Sequence, residues 1–301
     1  MALPKHLSHR FHSQFGIYIP GPVSVLHMSS HMTRRALLAS GGAAAAAALP
    51  LIAPGHAAAS TPATQSTKAS EFVPDVGPGN KFDFDGEALR YPGNSTVFHV
   101  PQDSRFHQAL LQVRQEIVHS PVGKQHCLLP KNSLHMTCLN GTNENPAQRK
   151  YGYWPRDMRL GQTIEEVHQH FLDKLQGFST GLPQPLLMRP TELAGPFEKQ
   201  GLSLTMVPAD EATAAALKSV RERLSALLQI RRPDFDTFEF HISLGYPWRR
   251  YSEGLATYAE SRRLEWSAHI RDQAPQVELG RLEFVVFNDM LAYSPLMYLN
   301  S

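Results

Sequence analysis

The chain is short of several things, and each shortage excludes something. It holds two cysteines in 301 residues, too few for a disulfide-built miniprotein, and no Cys-x-x-Cys pair, which excludes a cysteine zinc site. Charged side chains make up 19% and hydrophobic ones 42%, a balance foreign to disordered and collagen-like chains. The formal charge is only +2, whereas a protein that coats long nucleic acid needs a clear basic excess. Acidic residues are absent from residues 1–59, which carry Lys5, Arg10, Arg34 and Arg35. With those four set aside, the 29 basic side chains fall below the 27 acidic ones. The remainder is therefore near neutral and slightly acidic. Long hydrophobic runs are missing too. The mild Ala- and Gly-rich run from Ala39 to Ala53 is too short to span a bilayer, contains Pro50 and is followed by Pro54.

What residues 1–59 do contain reads as an address. Thr33-Arg34-Arg35-Ala36-Leu37-Leu38 opens a basic region, the mild run follows, and Pro54-Gly55-His56-Ala57-Ala58-Ala59 places small residues at cleavage spacing. Consecutive arginines before a weakly hydrophobic stretch are similar to a twin-arginine signal. The five histidines and Gly-Pro turns of residues 1–31 are foreign to such a signal, and Met28 or Met32 is the expected initiator. The expectation is export through this signal to the periplasm or beyond, with no membrane attachment after processing. Residues 60–80, rich in Ser, Thr, Pro and Gly, read as a flexible linker. Residues 81–301 are long enough for one large folded domain or two packed lobes.

Within that domain, periodicity predicts strands at Thr96–Val100, Gln125–Leu129, Leu134–Leu139, Leu186–Leu193, Leu202–Val207, Phe238–Tyr246, Arg281–Phe287 and Leu291–Tyr298. It predicts a helix capped by Asp103 and running to His119, with Phe106, Leu110, Val113 and Ile117 as its stripe. A second opens at Thr163 with the stripe Ile164, Val167, Phe171 and Leu175. A third is capped by Asp210, with Ala214, Leu217, Val220, Leu224, Leu227 and Leu228 on one face, and a fourth covers 252–271. Gln125–Leu129 and Leu134–Leu139 read as a strand pair. Cys127 and Cys138 then read as two buried thiols on neighbouring strands, with a single disulfide as the alternative in an exported protein. The order strand, helix, strand occurs twice, at Thr96–Leu139 and at Leu202–Tyr246.

Each of those units ends in one short pattern. Leu134-His135-Met136-Thr137-Cys138 and Phe240-His241-Ile242-Ser243-Leu244 share the template apolar, His, apolar, hydroxyl, apolar. A strand repeats every two residues, so each histidine shares a face with its hydroxyl while the apolar residues enter the core. In-line displacement at a phosphodiester needs a base on the incoming oxygen and an acid on the leaving oxygen. Histidine serves either role near neutral pH, and a neighbouring hydroxyl can hold the non-bridging oxygens. Residues 60–301 hold no His-x-x-x-His pair or acidic cluster at metal-ligand spacing. The expected catalytic group is His135, Thr137, His241 and Ser243, with no metal and no cofactor.

This pair of His-x-[Thr/Ser]-x motifs resembles the two-histidine (2H) phosphoesterases. The segments Lys81-Phe82-Asp83-Phe84-Asp85-Gly86 and Tyr91-Pro92-Gly93-Asn94-Ser95-Thr96 are similar to an uncharacterised bacterial and fungal branch of that superfamily. The resemblance implies an α+β, bilobed fold with two antiparallel sheets and flanking helices around a central cleft. It also implies metal-independent action on 2′,3′-cyclic or 2′-5′ phosphodiesters of nucleotides or RNA ends. The alternative on the same fold is a non-catalytic nucleotide- or RNA-binding module. The expected partner is a small nucleotide or RNA end rather than a long nucleic acid, and the expected state is a monomer.

Two aromatic and basic clusters follow the motifs. Tyr153, Trp154 and Arg156, with Tyr151 and Arg159 beside them, follow the first, and Tyr246 and Arg249, with Trp248 and Arg250, follow the second. Aromatic rings can stack a base and arginine can reach a phosphate, which makes Tyr153, Trp154, Arg156, Tyr246 and Arg249 the substrate-binding candidates. His168 and His170, two apart on a helix, lie on different faces and do not share a metal. His99, His107, His119, His126 and His269 have no companion pattern and read as structural. Asn94-Ser95-Thr96 fits a glycosylation triplet, which bacterial export makes irrelevant.

Overall fold

Each motif strand alternates half-buried and buried residues from its first position, in β3 (His135–Asn143) and β6 (His241–Pro247) alike. Met136, Cys138, Ile242 and Leu244 are fully buried, and each such side chain is worth roughly 1.5–3 kcal/mol to the fold. The computed structural model describes residues 71–74 and 76–301. The expected signal segment 1–59 and residues 60–70 of the expected linker lie outside the described residues.

The other elements, in chain order, are β1 (Gly93–His99), α1 (Arg105–His119), β2 (His126–Leu128), α2 (Ile164–Leu175), β4 (Leu186–Leu193), α3 (Phe197–Gln200), β5 (Leu202–Pro208), α4 (Glu211–Leu228), α5 (Glu253–Gln273), β7 (Val277–Leu279), β8 (Glu283–Phe287) and β9 (Ser294–Tyr298). Their ends follow ordinary capping chemistry. Thr163 and Glu166 form a reciprocal capping box on α2, and the Asp210 side chain accepts from Thr213 N on α4. The cap of α1 is Ser104, which accepts from His107 N, rather than Asp103. The apolar stripes of α1 and α2 are buried as the spacing predicts. On α4, however, Ala214 is exposed, and Thr213 and Arg221 join the buried face.

All nine strands form one antiparallel sheet in the order β7-β4-β5-β6-β3-β1-β8-β9, with β2 beside β6. The expectation of two sheets is therefore corrected to one. The reason is a seam: β3 and β6 meet at Met136 and Ile242, which joins two four-stranded halves. Outward from the seam, each half begins with its motif strand and continues with the strand that precedes that unit's helix. The pairing of β2 is also corrected. It bonds to β6 through Cys127 and Tyr246, not to β3, so Cys127 and Cys138 do not sit on neighbouring strands. Both thiols are free. Among the described residues no helix is long and apolar enough to cross a membrane.

The linker expectation changes as well. Phe72, Val73 and Val76 are buried. Val73 N donates to Trp248 O at 3.3 Å, and Arg250 N donates to Glu71 O at 2.9 Å. Phe72 packs on Trp248 and Phe84, with ring centroids 6.0 and 4.9 Å away. The described residues of 71–80 are thus packed on the strand end after the second motif, because three apolar side chains in a polar stretch find an apolar surface there.

Candidate functional site

The seam places the two motifs against each other. Counting outward from Met136 opposite Ile242, antiparallel pairing sets His135 opposite Ser243 and Thr137 opposite His241. All four side chains lie on the face away from the core and line one cleft of about 280 Å³. Each histidine is thus next to the hydroxyl of the other motif as well as its own.

Both imidazoles are held in the same way. His135 Nδ1 lies 2.6 Å from Ser133 O, and His241 Nδ1 lies 2.9 Å from Glu239 O. A carbonyl oxygen only accepts, so each Nδ1 carries the proton and donates. The neutral form of each ring then keeps its lone pair on Nε2, the atom available for proton transfer. Burial pushes the His135 imidazole down to about 4, against a weaker upward pull from the Ser133 carbonyl, and the nearby His99 and His241 push it further down. His135 is accordingly neutral at physiological pH.

His99 lies beside the first motif histidine. It pairs with His135 across β1 and β3, the two rings meeting edge-on at 5.8 Å. Its Nδ1 lies 2.7 Å from Glu283 Oε2 of β8. The Tyr293 ring packs on His135 at 4.1 Å. The phenol of Tyr293 is held well above its usual range by burial and by neighbouring Tyr246. No spacing pattern in the sequence announces His99, Glu283 or Tyr293, since they come from three separate strands and loops.

Just past the first motif the β1–β3 ladder is irregular. Thr96 pairs with Leu139 and Val97 with Thr137, which leaves Cys138 as the extra residue of a bulge. Arg221 of α4 donates to Cys138 O at 2.5 Å and to Phe235 O at 2.7 Å, which ties the bulge to the loop before β6. A second irregularity lies between Gly93 and Ser95. There the chains approach so closely that a Cβ on Gly141 would sit 1.9 Å from Asn94 Oδ1. Asn94 Oδ1 accepts from Thr142 N at 3.0 Å.

The five substrate-binding candidates do not share one fate. Tyr246 lines the cleft, with Lys81 Nζ 4.6 Å above its ring. Tyr153 is not part of the cleft wall but stacks on Arg232, 4.6 Å from its ring, and Arg232 does line the cleft. Trp154 is corrected: it is 0% exposed, and its Nε1 donates to Arg159 O at 3.1 Å, so it cannot stack a base. Arg156 borders a different hollow with Glu222 and Arg231. Arg249 is stacked on Trp248 at 4.3 Å and lies 3.6 Å from Glu71, turned toward the N-terminal segment. Among the described residues, the cations of the cleft are instead Lys81 and Arg232, and no carboxylate lines it. The triplet asparagine, Asn94, is 2% exposed, too buried to accept a glycan. Among the described residues, no three His, Cys, Asp or Glu side chains converge as a metal site.

The chain is similar to several known proteins. Residues 81–196 match the family described as "2H-phosphodiest: Domain of unknown function (DUF1868)", a stretch that contains the first motif and ends before the second. A conserved protein of unknown function from Agrobacterium tumefaciens is similar at 29% identity and a TM-score of 0.67, covering 73% of this chain and 90% of its own. E. coli LigT complexed with phosphate is 12% identical, covering 71% of this chain and 100% of its own at a TM-score of 0.36. A structure described as a phosphoesterase is 11% identical with the same coverages and a TM-score of 0.38. No curated protein matches. The family match spans less than half of the chain and is a likeness to that family.

Proposed function

We propose that this chain is a metal-independent phosphodiesterase acting on 2′,3′-cyclic or 2′-5′ phosphodiesters of nucleotides or RNA ends. One observation carries the proposal. Two histidines and two hydroxyls face one cleft across a single strand seam, and both imidazoles donate from Nδ1 to a carbonyl two residues back.

The chemistry follows from that geometry. His135, neutral because burial holds it down to about 4, takes a proton from the attacking water onto Nε2. The water oxygen bonds to phosphorus as the bond from phosphorus to the leaving sugar oxygen breaks. Protonated His241 gives its Nε2 proton to that leaving oxygen. Thr137 and Ser243 donate to the non-bridging oxygens, whose charge grows in the transition state. One proton has then moved from His241 to the product and one from water to His135, and exchange with solvent restores both. Lys81 and Arg232, which line the cleft, balance the substrate's charge.

The test is hydrolysis of a panel of 2′,3′-cyclic and 2′-5′ diesters, with a chelator present, by the wild type and by His135→Ala and His241→Ala. A positioned acid or base is worth roughly 10²–10⁴-fold, so each variant should lose that much turnover while keeping its circular dichroism spectrum. Full activity in either variant overturns the mechanism, and activity lost on chelation overturns its metal independence. We also propose that residues 1–59 are a twin-arginine-type signal and that the mature protein acts as a monomer in the periplasm or outside the cell. Replacing Arg34 and Arg35 by Lys should keep the chain in the cytoplasm in a fractionation assay.

A further inference from the structure

The two halves of the sheet are joined by very little where the reacting groups stand. Among the described residues β3 and β6 pair at one position, Met136 opposite Ile242, whereas β1 with β3 and β5 with β6 pair along several. Further along the same edge β6 turns to β2, through Gly245, Tyr246 and Pro247. In-line chemistry nevertheless needs the Nε2 atoms of His135 and His241 held on opposite sides of one phosphorus. A misplacement of about 1 Å costs about 10²-fold in rate. One residue pair leaves the halves free to twist about the joint by more than that tolerance allows.

Arg221 of α4 supplies a second tie. It is 7% exposed, and its two hydrogen bonds go to main-chain carbonyls, one in each motif's own segment. Cys138 O, next to Thr137, accepts at 2.5 Å. Phe235 O, in the loop that leads into His241, accepts at 2.7 Å. The guanidinium also packs on the rings of Phe235, Phe238 and Phe240, 4.6, 4.5 and 5.6 Å from their centroids. Phe238 in turn lies 5.9 Å from the His241 ring. Glu239, between Phe238 and Phe240, offers the carbonyl that accepts from His241 Nδ1. The segment gripped by Arg221 is therefore the one that orients His241. A buried cation bonded to carbonyls rather than to a carboxylate is costly to desolvate. What the guanidinium offers in exchange is geometry, since its planar fork fixes two acceptors at once, which a lysine ammonium does not.

We propose that Arg221 is a positioning residue that locks the Cys138 bulge to the Phe235–Phe240 segment and thereby sets the separation and mutual orientation of the two histidines. The inference rests on the proposed phosphodiesterase function and adds to it a residue outside the cleft wall. Lys81 and Arg232 stay in the cleft when Arg221 is changed, so ground-state binding survives and the loss falls on the transition state.

The test measures kcat and KM on the cyclic diester that the wild type turns over fastest, for Arg221→Met, Arg221→Lys and Phe238→Leu. Trp154→Ala serves as a control that is destabilised without touching the tie. Hydrogen exchange of β3, β6 and β4, read by mass spectrometry, runs on the same preparations. Arg221→Met should lose about 10²-fold in kcat with KM unchanged. Arg221→Lys, which keeps one carbonyl contact, and Phe238→Leu, which keeps the fork, should each lose less. In Arg221→Met the β3 and β6 segments should exchange faster while β4 keeps its protection, and folded Trp154→Ala should keep the wild-type kcat. If Arg221→Met does not fold, the two milder variants carry the same comparison. Wild-type kcat in the Arg221 variants overturns the assignment, and so does a rise in KM with kcat kept. Protection lost equally from all three strands makes Arg221 merely structural and overturns it too. A wild type that hydrolyses no diester overturns the phosphodiesterase instead. Exchange then decides on the tie alone: faster exchange confined to β3 and β6 upholds it, and unchanged exchange overturns it.

Discussion

Acidification should unfold this protein by way of two histidines, and the size of the effect can be worked out. Burial pushes His135 down to about 4 and His126 likewise to about 4, against about 6.5 in an unfolded chain. Between those values the unfolded state binds more protons than the folded one, so the free energy of unfolding rises with pH across the window. Stability is full above pH 6.5 and is lost as pH falls toward 4. At roughly 1.4 kcal/mol per pH unit, each histidine accounts for roughly 3 kcal/mol over the whole window. Urea denaturation of the wild type, His135→Gln and His126→Gln at a series of pH values from 7 to 4 measures it. Each variant should flatten the curve by about its own share, and the double variant should flatten it most. Turnover gives an independent reading of the same group: the acid limb of kcat/KM should fall near pH 4 rather than near 6.5. If His135→Gln leaves the stability curve as steep as the wild type, or the acid limb lies near 6.5, then His135 is well solvated. Its assignment as the neutral base then fails.

Other outcomes follow from single positions. Trp154→Ala should cost about 3–5 kcal/mol, as removal of a fully buried indole does, and leave KM for a cyclic nucleotide unchanged; chemical denaturation and steady-state kinetics on one preparation check both. Gly141→Ala should lower stability by about 1–3 kcal/mol, since its Cβ meets Asn94 Oδ1 at 1.9 Å and the strands must part. Calorimetry that finds the variant as stable as the wild type would refute the close approach. Both thiols should resist a disulfide-exchange reagent at pH 8, because burial pushes Cys127 and Cys138 up to about 12 and the thiolate is the reactive form. Rapid modification of two thiols in the native protein, without urea, would contradict that.

The cleft also shows how weak a guide net charge is. The chain beyond residue 59 is slightly acidic overall, yet its cleft holds Lys81, Arg232 and two histidines, with no carboxylate in the wall among the described residues. Many acidic side chains of the described residues pair with arginines elsewhere, as Glu192 and Glu260 do with the half-buried Arg263. A substrate samples the local field, not the sum.

Local chemistry alone, read from the sequence, determined a good deal. Period-two alternation put His135 beside Thr137 and His241 beside Ser243 on strand faces, and period-3.6 stripes located three of the four long helices. Both patterns depend only on neighbours a few residues away, so they survive without knowledge of the fold. Tertiary structure decided the rest. It joined the halves into one sheet through the Met136–Ile242 seam and moved β2 to β6, because strand pairing depends on which distant segments meet and not on either segment's own pattern. It buried Trp154 and turned Arg249 toward Glu71, although both carry the residue types of a binding site. It also brought Lys81, His99, Arg232, Glu283 and Tyr293 around the histidines from positions with no shared spacing. A side chain's role there is set by what surrounds it in space, and chain order encodes that only through the complete fold.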